Sequence, residues 1–147
     1  MRRWMISGVV ALGLGSVACG GRDPVDRAIT QGQITQDVLC ECPASVGVAT
    51  EAECRERVEM SSITEAEEAC VRRVYQAHRA ELDPVLDCQY DASVELTDCM
   101  RAALETCPPE LGASSACSTA FTATTEDCPS ASTQTEAELQ ACFASRT

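Results

Sequence analysis

The arrangement of apolar and polar residues along this chain predicts helices rather than strands. No run alternates apolar with polar positions in β-branched sequence, as a half-buried strand requires. Apolar residues instead recur at helical spacing, so that Val85, Ala92, Leu96 and Ala103 fall on one stripe of a helix. The pattern therefore predicts an all-α fold.

Helix starts in the sequence share a Thr-x-x-Glu signature that occurs three times. In such a capping box the threonine hydroxyl accepts a hydrogen bond from the third helical amide, and the glutamate returns one to the threonine amide. The boxes begin at Thr50, Thr64 and Thr135. They predict helices at about 51–60, 64–82 and 135–144.

Two further helices complete the predicted set of about five. Asp83 followed by Pro84 is typical of a cap and a first helical residue, so a helix is predicted from there to about Thr106, where Pro108 and Pro109 stop it. A threonine-rich helix is predicted at about 115–127. The domain is thus expected to consist of helical hairpins.

The first 18 residues have the layout of a signal peptide. Arg2 and Arg3 precede an apolar stretch from Met5 to Ala18, which is too short to span a bilayer as a helix. Ser16-Val17-Ala18-Cys19 resembles the lipobox of bacterial lipoproteins. The resemblance implies cleavage after Ala18 and a diacylglycerol on the Cys19 thiol, with fatty acids such as palmitate. The same three residues before Cys19 also suit ordinary signal peptidase.

The chain contains eleven cysteines, an odd number. In an oxidising compartment an unpaired cysteine is anomalous, whereas lipidation of Cys19 leaves ten that can all pair. Gly20 follows Cys19, so no aspartate mimics an inner-membrane retention signal, and the resemblance favours the outer membrane. A periplasmic or secreted protein is the alternative.

Three segments are predicted: a signal peptide at 1–18, the lipidated cysteine with a flexible tether at 19–37, and a cysteine-rich helical domain at 38–147. Few aromatic residues follow residue 18, so disulfides are expected to compensate for a small apolar core. The net charge of −12 disfavours nucleic acid as a partner. The expected partners are the membrane, through the lipid, and an envelope protein.

Cysteine spacing suggests a disulfide frame. Cys88 and Cys99 lie on one helix face, and a hairpin that turns at Pro108 brings them opposite Cys128 and Cys117 respectively. This symmetry predicts Cys88–Cys128 and Cys99–Cys117. In geometry alone the arrangement resembles helical hairpins with twin C-x9-C motifs, a likeness that implies a stapled hairpin and no shared activity.

The remaining cysteines are less constrained by spacing. Cys54 and Cys70 are symmetric about Ser62, which predicts Cys54–Cys70. Cys40 and Cys42 are too close to pair without strain, so they are expected to join Cys107 and Cys142 in either order. These four are Cys40, Cys42, Cys107 and Cys142. Across the whole chain, the pattern resembles small cysteine-rich bacterial lipoproteins without an assigned role.

Candidate chemistry is sparse, and no catalytic residue, metal site or cofactor is predicted. Cys40 and Cys42 are interpreted as halves of structural disulfides rather than a redox pair, because no basic residue nearby lowers a thiol pKa. His78 is the only histidine and is expected to lie half-buried on a helix face. Aspartates and a glutamate recur every four residues from Asp83 to Glu95, and a solvated face is expected rather than a cation site.

The expected function is that of a non-enzymatic cell-envelope lipoprotein with a structural or protein-interaction role. The alternative is a secreted-type inhibitor or ligand-binding module that presents the loop 108–116 on a rigid scaffold. An envelope redox or hydrolytic enzyme is the least favoured interpretation.

Overall fold

The computed structural model describes residues 23–110 and 112–144, which form six α-helices and no strand. The predicted signal peptide and the predicted lipidation site, Cys19, lie outside the described residues. The helices are α1 Pro24–Glu41, α2 Glu51–Ser61, α3 Glu65–Ala77, α4 Arg79–Ala103, α5 Ala113–Glu126 and α6 Thr133–Ala141, with a single-turn 3₁₀ helix at Pro43–Val46. The predicted all-α class is confirmed.

The prediction of a flexible tether up to residue 37 is wrong, because α1 occupies most of that segment. The Asp23 side chain accepts a hydrogen bond from the amide of Val25, and Pro24 is the first helical residue. Val25 and Val38 are buried against other helices, so tertiary packing stabilises a segment whose own sequence is largely polar. The folded domain therefore includes residues 23–37, which were expected to lie in the tether.

The break between the third and fourth helices lies at His78, not at Asp83. The predicted cap, Asp83, instead accepts a hydrogen bond of 2.7 Å from the Tyr75 hydroxyl. Pro84 consequently lies inside α4, where it has no amide to donate to the carbonyl of Ala80. The Asp83 carboxylate is thus engaged by Tyr75 of the preceding helix and does not cap α4.

Two of the three predicted capping boxes are present, and the third is wrong. Thr50 and Thr64 each form the full reciprocal box with the glutamate three residues later. At the last helix the cap is Ser132, whose hydroxyl accepts from the amide of Thr135. Thr135 lies one turn into α6, so this helix starts earlier than its box indicated.

The two long helices α1 and α4 pack side by side and run parallel. Near their beginnings, Val25 and Leu82 belong to one buried apolar cluster with residues of α3 and Cys142. Near their ends, Val38 and Met100 belong to a second cluster with residues of α5. Helix α5 returns antiparallel to α4, as the two disulfides between them require.

A buried polar layer separates the two apolar clusters. The Gln31 side-chain amide donates to Thr97 Oγ1 at 2.7 Å, and Thr97 Oγ1 and Thr35 Oγ1 are also 2.7 Å apart. Gln31 and Thr97 are 7% and 2% exposed. Because a shifted register would leave these groups without partners, the layer fixes the position of α1 along α4.

All ten cysteines of the described residues form disulfides. The hairpin pairs are as predicted, Cys88–Cys128 and Cys99–Cys117. The other pairs are Cys40–Cys54, Cys42–Cys107 and Cys70–Cys142.

The predicted Cys54–Cys70 bond is therefore wrong, because α2 and α3 do not form a closed hairpin of their own. Helix α2 packs on α1, which brings Cys54 to Cys40, whereas α3 packs on α6, which brings Cys70 to Cys142. The expectation that both Cys40 and Cys42 reach Cys107 or Cys142 holds only for Cys42.

The surface loop predicted at 108–116 is displaced in the structure, because the connection between α4 and α5 lies earlier in the chain. Helix α5 begins at Ala113, after Gly112 with a φ of 88°, a left-handed conformation that favours glycine. Residues 113–116 are therefore helical, and the connection runs from Leu104 to Gly112.

Candidate functional site

His78 lies at the junction of α3 and α4, where α6 packs against both. Its Nε2 is 2.9 Å from a carboxylate oxygen of Glu138, and its Nδ1 is 3.9 Å from one of Glu81. The side chain is 24% exposed, so it is partly buried as expected, but it lies at the break between two helices rather than on a helix face. Both ring nitrogens thus face carboxylates.

Glu81 joins α4 to the start of α6. Its carboxylate accepts from the Ser132 amide and, at 2.9 Å, from the Thr135 hydroxyl. These hydrogen bonds, the Ser132 amide first, hold the pKa of Glu81 below its ordinary value. The pKa of Glu138 is lowered too, first by a hydrogen bond from Gln134 and then by one from His78.

The His78 cluster, formed by His78, Glu81, Ser132, Thr135 and Glu138, has the geometry of a docking contact. A hydrolytic triad needs a hydroxyl bonded to the histidine, but the Thr135 hydroxyl donates to Glu81 and the Ser132 hydroxyl caps α6. The cluster instead holds α6 on the α3–α4 junction, near the Cys70–Cys142 bond. His78 could be singled out from the sequence, but its partners could not. Glu138 is 60 residues away, and Glu81 is only three residues away but carries no local signal of this contact.

Cys40 and Cys42 do not form a redox pair in this structure. Each is 1% exposed, and they are bonded to different partners, Cys54 and Cys107. A redox pair needs an accessible thiolate. Their arrangement fits the structural interpretation.

The acidic stripe from Asp83 to Glu95 is divided among separate contacts. Asp83 accepts from Tyr75, and Asp87 forms an ion pair with Arg27. Asp91 and Glu95 are exposed. In residues 23–110 and 112–144 no group of three His, Cys, Asp or Glu side chains is arranged to hold a metal ion.

An ion-pair cluster that the sequence did not predict lies at the start of α1. Arg72 of α3 bonds to Asp26 and to Glu68, the latter at 2.6 Å, and lies 3.7 Å from Asp23. The hydrogen bond to Asp26, followed by that to Glu68, raises the pKa of Arg72. The cluster fixes the first turn of α1 against α3.

A groove of about 370 Å³ runs beside α1, next to the α2–α3 connection and the end of α6. This α1 groove is lined on its apolar side by Ala28, Ile29, Gly32, Ile63 and Phe143. Sequence analysis missed it, because the segment containing α1 was predicted to be a tether.

Comparison with known proteins gives no relative: no family model, curated protein or solved structure matches this chain. Over the part of the chain that the structure describes, no helix is both long and apolar enough to cross a membrane.

Proposed function

We propose that this protein is a non-enzymatic, lipid-anchored component of the cell envelope whose stapled helical domain has a structural or protein-interaction role. The supporting observation is the disulfide count. The ten cysteines from Cys40 to Cys142 pair among themselves, which leaves Cys19 as the eleventh without a cysteine partner in the chain. Lipidation of its thiol explains this remainder.

The start of α1 bears on how such an anchor would work. Only residues 20–22 separate Cys19 from Asp23, the cap of α1. The four steps between Cys19 and Asp23 span at most about 14 Å when extended. A lipid on Cys19 would therefore hold the domain close to the bilayer, with the start of α1 towards it.

The charge at that end restricts what it meets. Asp23, Asp26 and Glu68 surround the guanidinium of Arg72, and Arg27 pairs with Asp87, so these basic side chains at the start of α1 are engaged with carboxylates. With a chain charge of −12, anionic headgroups and nucleic acids are repelled. The lipid, rather than surface charge, would supply the membrane affinity.

Substitution of Cys19 tests the proposal. The full-length protein is expected to partition into the membrane fraction and to carry a diacylglycerol mass on the peptide that begins at Cys19. Cys19→Ala is expected to be cleaved after Ala18 and released into the soluble fraction. An unmodified Cys19 in the mature protein, or membrane retention of Cys19→Ala after its cleavage, would contradict it.

We further propose the outer membrane as the site of anchoring, since Gly20 follows Cys19. Separation of inner and outer membranes by density is expected to place the protein in the outer fraction. Gly20→Asp is expected to move it to the inner fraction, and Gly20→Ser serves as the control that should not.

The alternative, a module that presents a loop, is favoured by one observation. The connection between α4 and α5 contains Cys107, which is bonded to Cys42 at the end of α1, and is followed by Cys117, which is bonded to Cys99 of α4. Residues 105–108 are exposed. If this loop carries the function, replacing residues 108–110 would abolish partner capture without changing the disulfides, whereas a purely structural lipoprotein would tolerate the change.

A further inference from the structure

The lining of the α1 groove carries no charge. Five of its eight lining residues are apolar or glycine, and the others, Gln33, Gln36 and Ser62, are neutral and polar. This contrasts with a chain in which 23% of residues are charged. A neutral apolar lining matches an uncharged hydrocarbon ligand better than a peptide of either charge.

Gly32 opens the floor of this groove, and the fold itself does not require a glycine there. It lies inside α1 without the positive φ that favours glycine, which among the described residues occurs at Gly47 and Gly112. A Cβ built on Gly32 meets no atom within 4 Å. Because a mid-helix glycine destabilises a helix relative to alanine, the open space it leaves is best explained by an occupant.

The groove also lies within reach of Cys19. The chain from Cys19 to Asp23 spans at most about 14 Å. Along the axis of α1, Ala28 lies about 8 Å and Gly32 about 14 Å beyond Asp23. A chain that folds back along α1 therefore brings the Cys19 thiol to the near end of the groove.

We propose that the α1 groove holds one acyl chain of the lipid carried by Cys19, an assignment that rests on the lipidation proposed above. In water, each methylene moved from solvent into the groove favours the bound state about fourfold. A bilayer buries the whole acyl chain and therefore competes successfully with the groove for it. The groove thus shields one chain while the protein is away from a membrane.

The capacity of the groove is tested first, without the lipid. The Cys19→Ala variant is expressed from the full-length sequence, and its exported form, cleaved after Ala18, is titrated with a dansyl-labelled fatty acid. Saturable binding of one probe per protein is expected. Adding Gly32→Leu fills the groove and is expected to weaken binding at least tenfold, whereas the control Ala123→Leu, at an exposed position of α5, should not.

Circular dichroism and the disulfide map verify that each variant is folded. A folded Cys19→Ala protein that binds no probe, or a folded Gly32→Leu variant that binds it equally well, would overturn the proposal.

The source of the chain is tested with the lipidated protein. Cells are fed a diazirine-bearing palmitate, and the labelled protein is irradiated after dilution out of detergent at low concentration. Cross-links within the same chain are expected on the α1 peptide and around Ile63, several-fold fewer in Gly32→Leu than in Ala123→Leu. Cross-links spread evenly over the surface would overturn the assignment.

The titration and the cross-linking experiment distinguish binding of an acyl chain in the α1 groove from lipidation of Cys19. If Cys19 carries no label, the lipidation and its assignment to the groove both fail. The titration of Cys19→Ala still reports whether the groove accepts an acyl chain.

Discussion

Replacing Thr97 by valine removes one hydroxyl from the polar layer between α1 and α4. Valine has nearly the same shape and a similar helix propensity, so packing changes little. The Gln31 amide then keeps only the carbonyl of Ser93, at 3.4 Å, while remaining buried. Leaving a buried donor poorly satisfied costs about 1–3 kcal/mol of unfolding free energy.

The double variant, Gln31→Leu with Thr97→Val, is expected to recover most of that loss. It removes both polar partners together, which is often neutral or stabilising. The Thr35 hydroxyl stays satisfied, because it also donates to the carbonyl of residue 31 at 2.9 Å. A favourable coupling of about 1–2 kcal/mol between the two substitutions is therefore expected.

Urea and thermal unfolding followed by circular dichroism measure these differences. For a domain of this size, 1 kcal/mol corresponds to about 4 °C in Tm. Ser93→Ala is the control, since its hydroxyl bonds only to the carbonyl of Gln89 in an exposed position. If Thr97→Val is neutral, or if the double variant is no more stable than Thr97→Val, the polar layer does not act as argued.

Four other variants probe the remaining contacts. Replacing Cys70 and Cys142 together by alanine removes a disulfide that links residues 72 positions apart. The unfolding free energy, measured with urea, is expected to fall by about 4 kcal/mol. An unchanged midpoint would contradict the pairing. Because the pKa of Glu81 is lowered in the folded state, the ionised carboxylate stabilises the fold at pH values above its ordinary pKa of 4.5. This stabilisation is lost as the pH falls through the pKa of Glu81 in the folded protein. The protection factors of the α6 amides, corrected for the pH dependence of intrinsic exchange, are therefore expected to fall in acid, and less steeply in Glu81→Gln; equal slopes would contradict it. Gly32→Ala should raise stability by about 0.5–1 kcal/mol, since nothing meets the added methyl, and a loss would show a steric demand. Thr50→Ala removes the α2 capping box and should cost about 0.5–2 kcal/mol in the same assay, with no change expected if the box is unimportant.

The candidate site was only partly accessible to sequence reasoning. His78 could be singled out because it is the one histidine, but Glu138 is 60 residues away and Glu81 gains its role from the start of α6. Nothing local to His78 indicates these partners. The α1 groove was invisible for a related reason, since it exists only where α1 meets the α2–α3 connection and Phe143.

Two Asp-Pro pairs show the limit of local signals. Asp23-Pro24 caps and starts α1, whereas Asp83-Pro84 lies within α4. At the second pair, the aspartate accepts a hydrogen bond from the Tyr75 hydroxyl of the preceding helix instead of capping a helix of its own. The same dipeptide therefore has two outcomes.

What the sequence determined by itself are the features that act within a few residues or within one hairpin. The boxes at Thr50 and Thr64 act over three positions, and the pairing of Cys88 and Cys99 with α5 follows from a single reversal of the chain. Tertiary structure decided how far the helix that starts at Asp23-Pro24 extends, because burial of Val25 and Val38 stabilises a largely polar segment. It also decided the Cys40–Cys54 and Cys70–Cys142 bonds, since cysteines pair with whichever helix packing brings within reach.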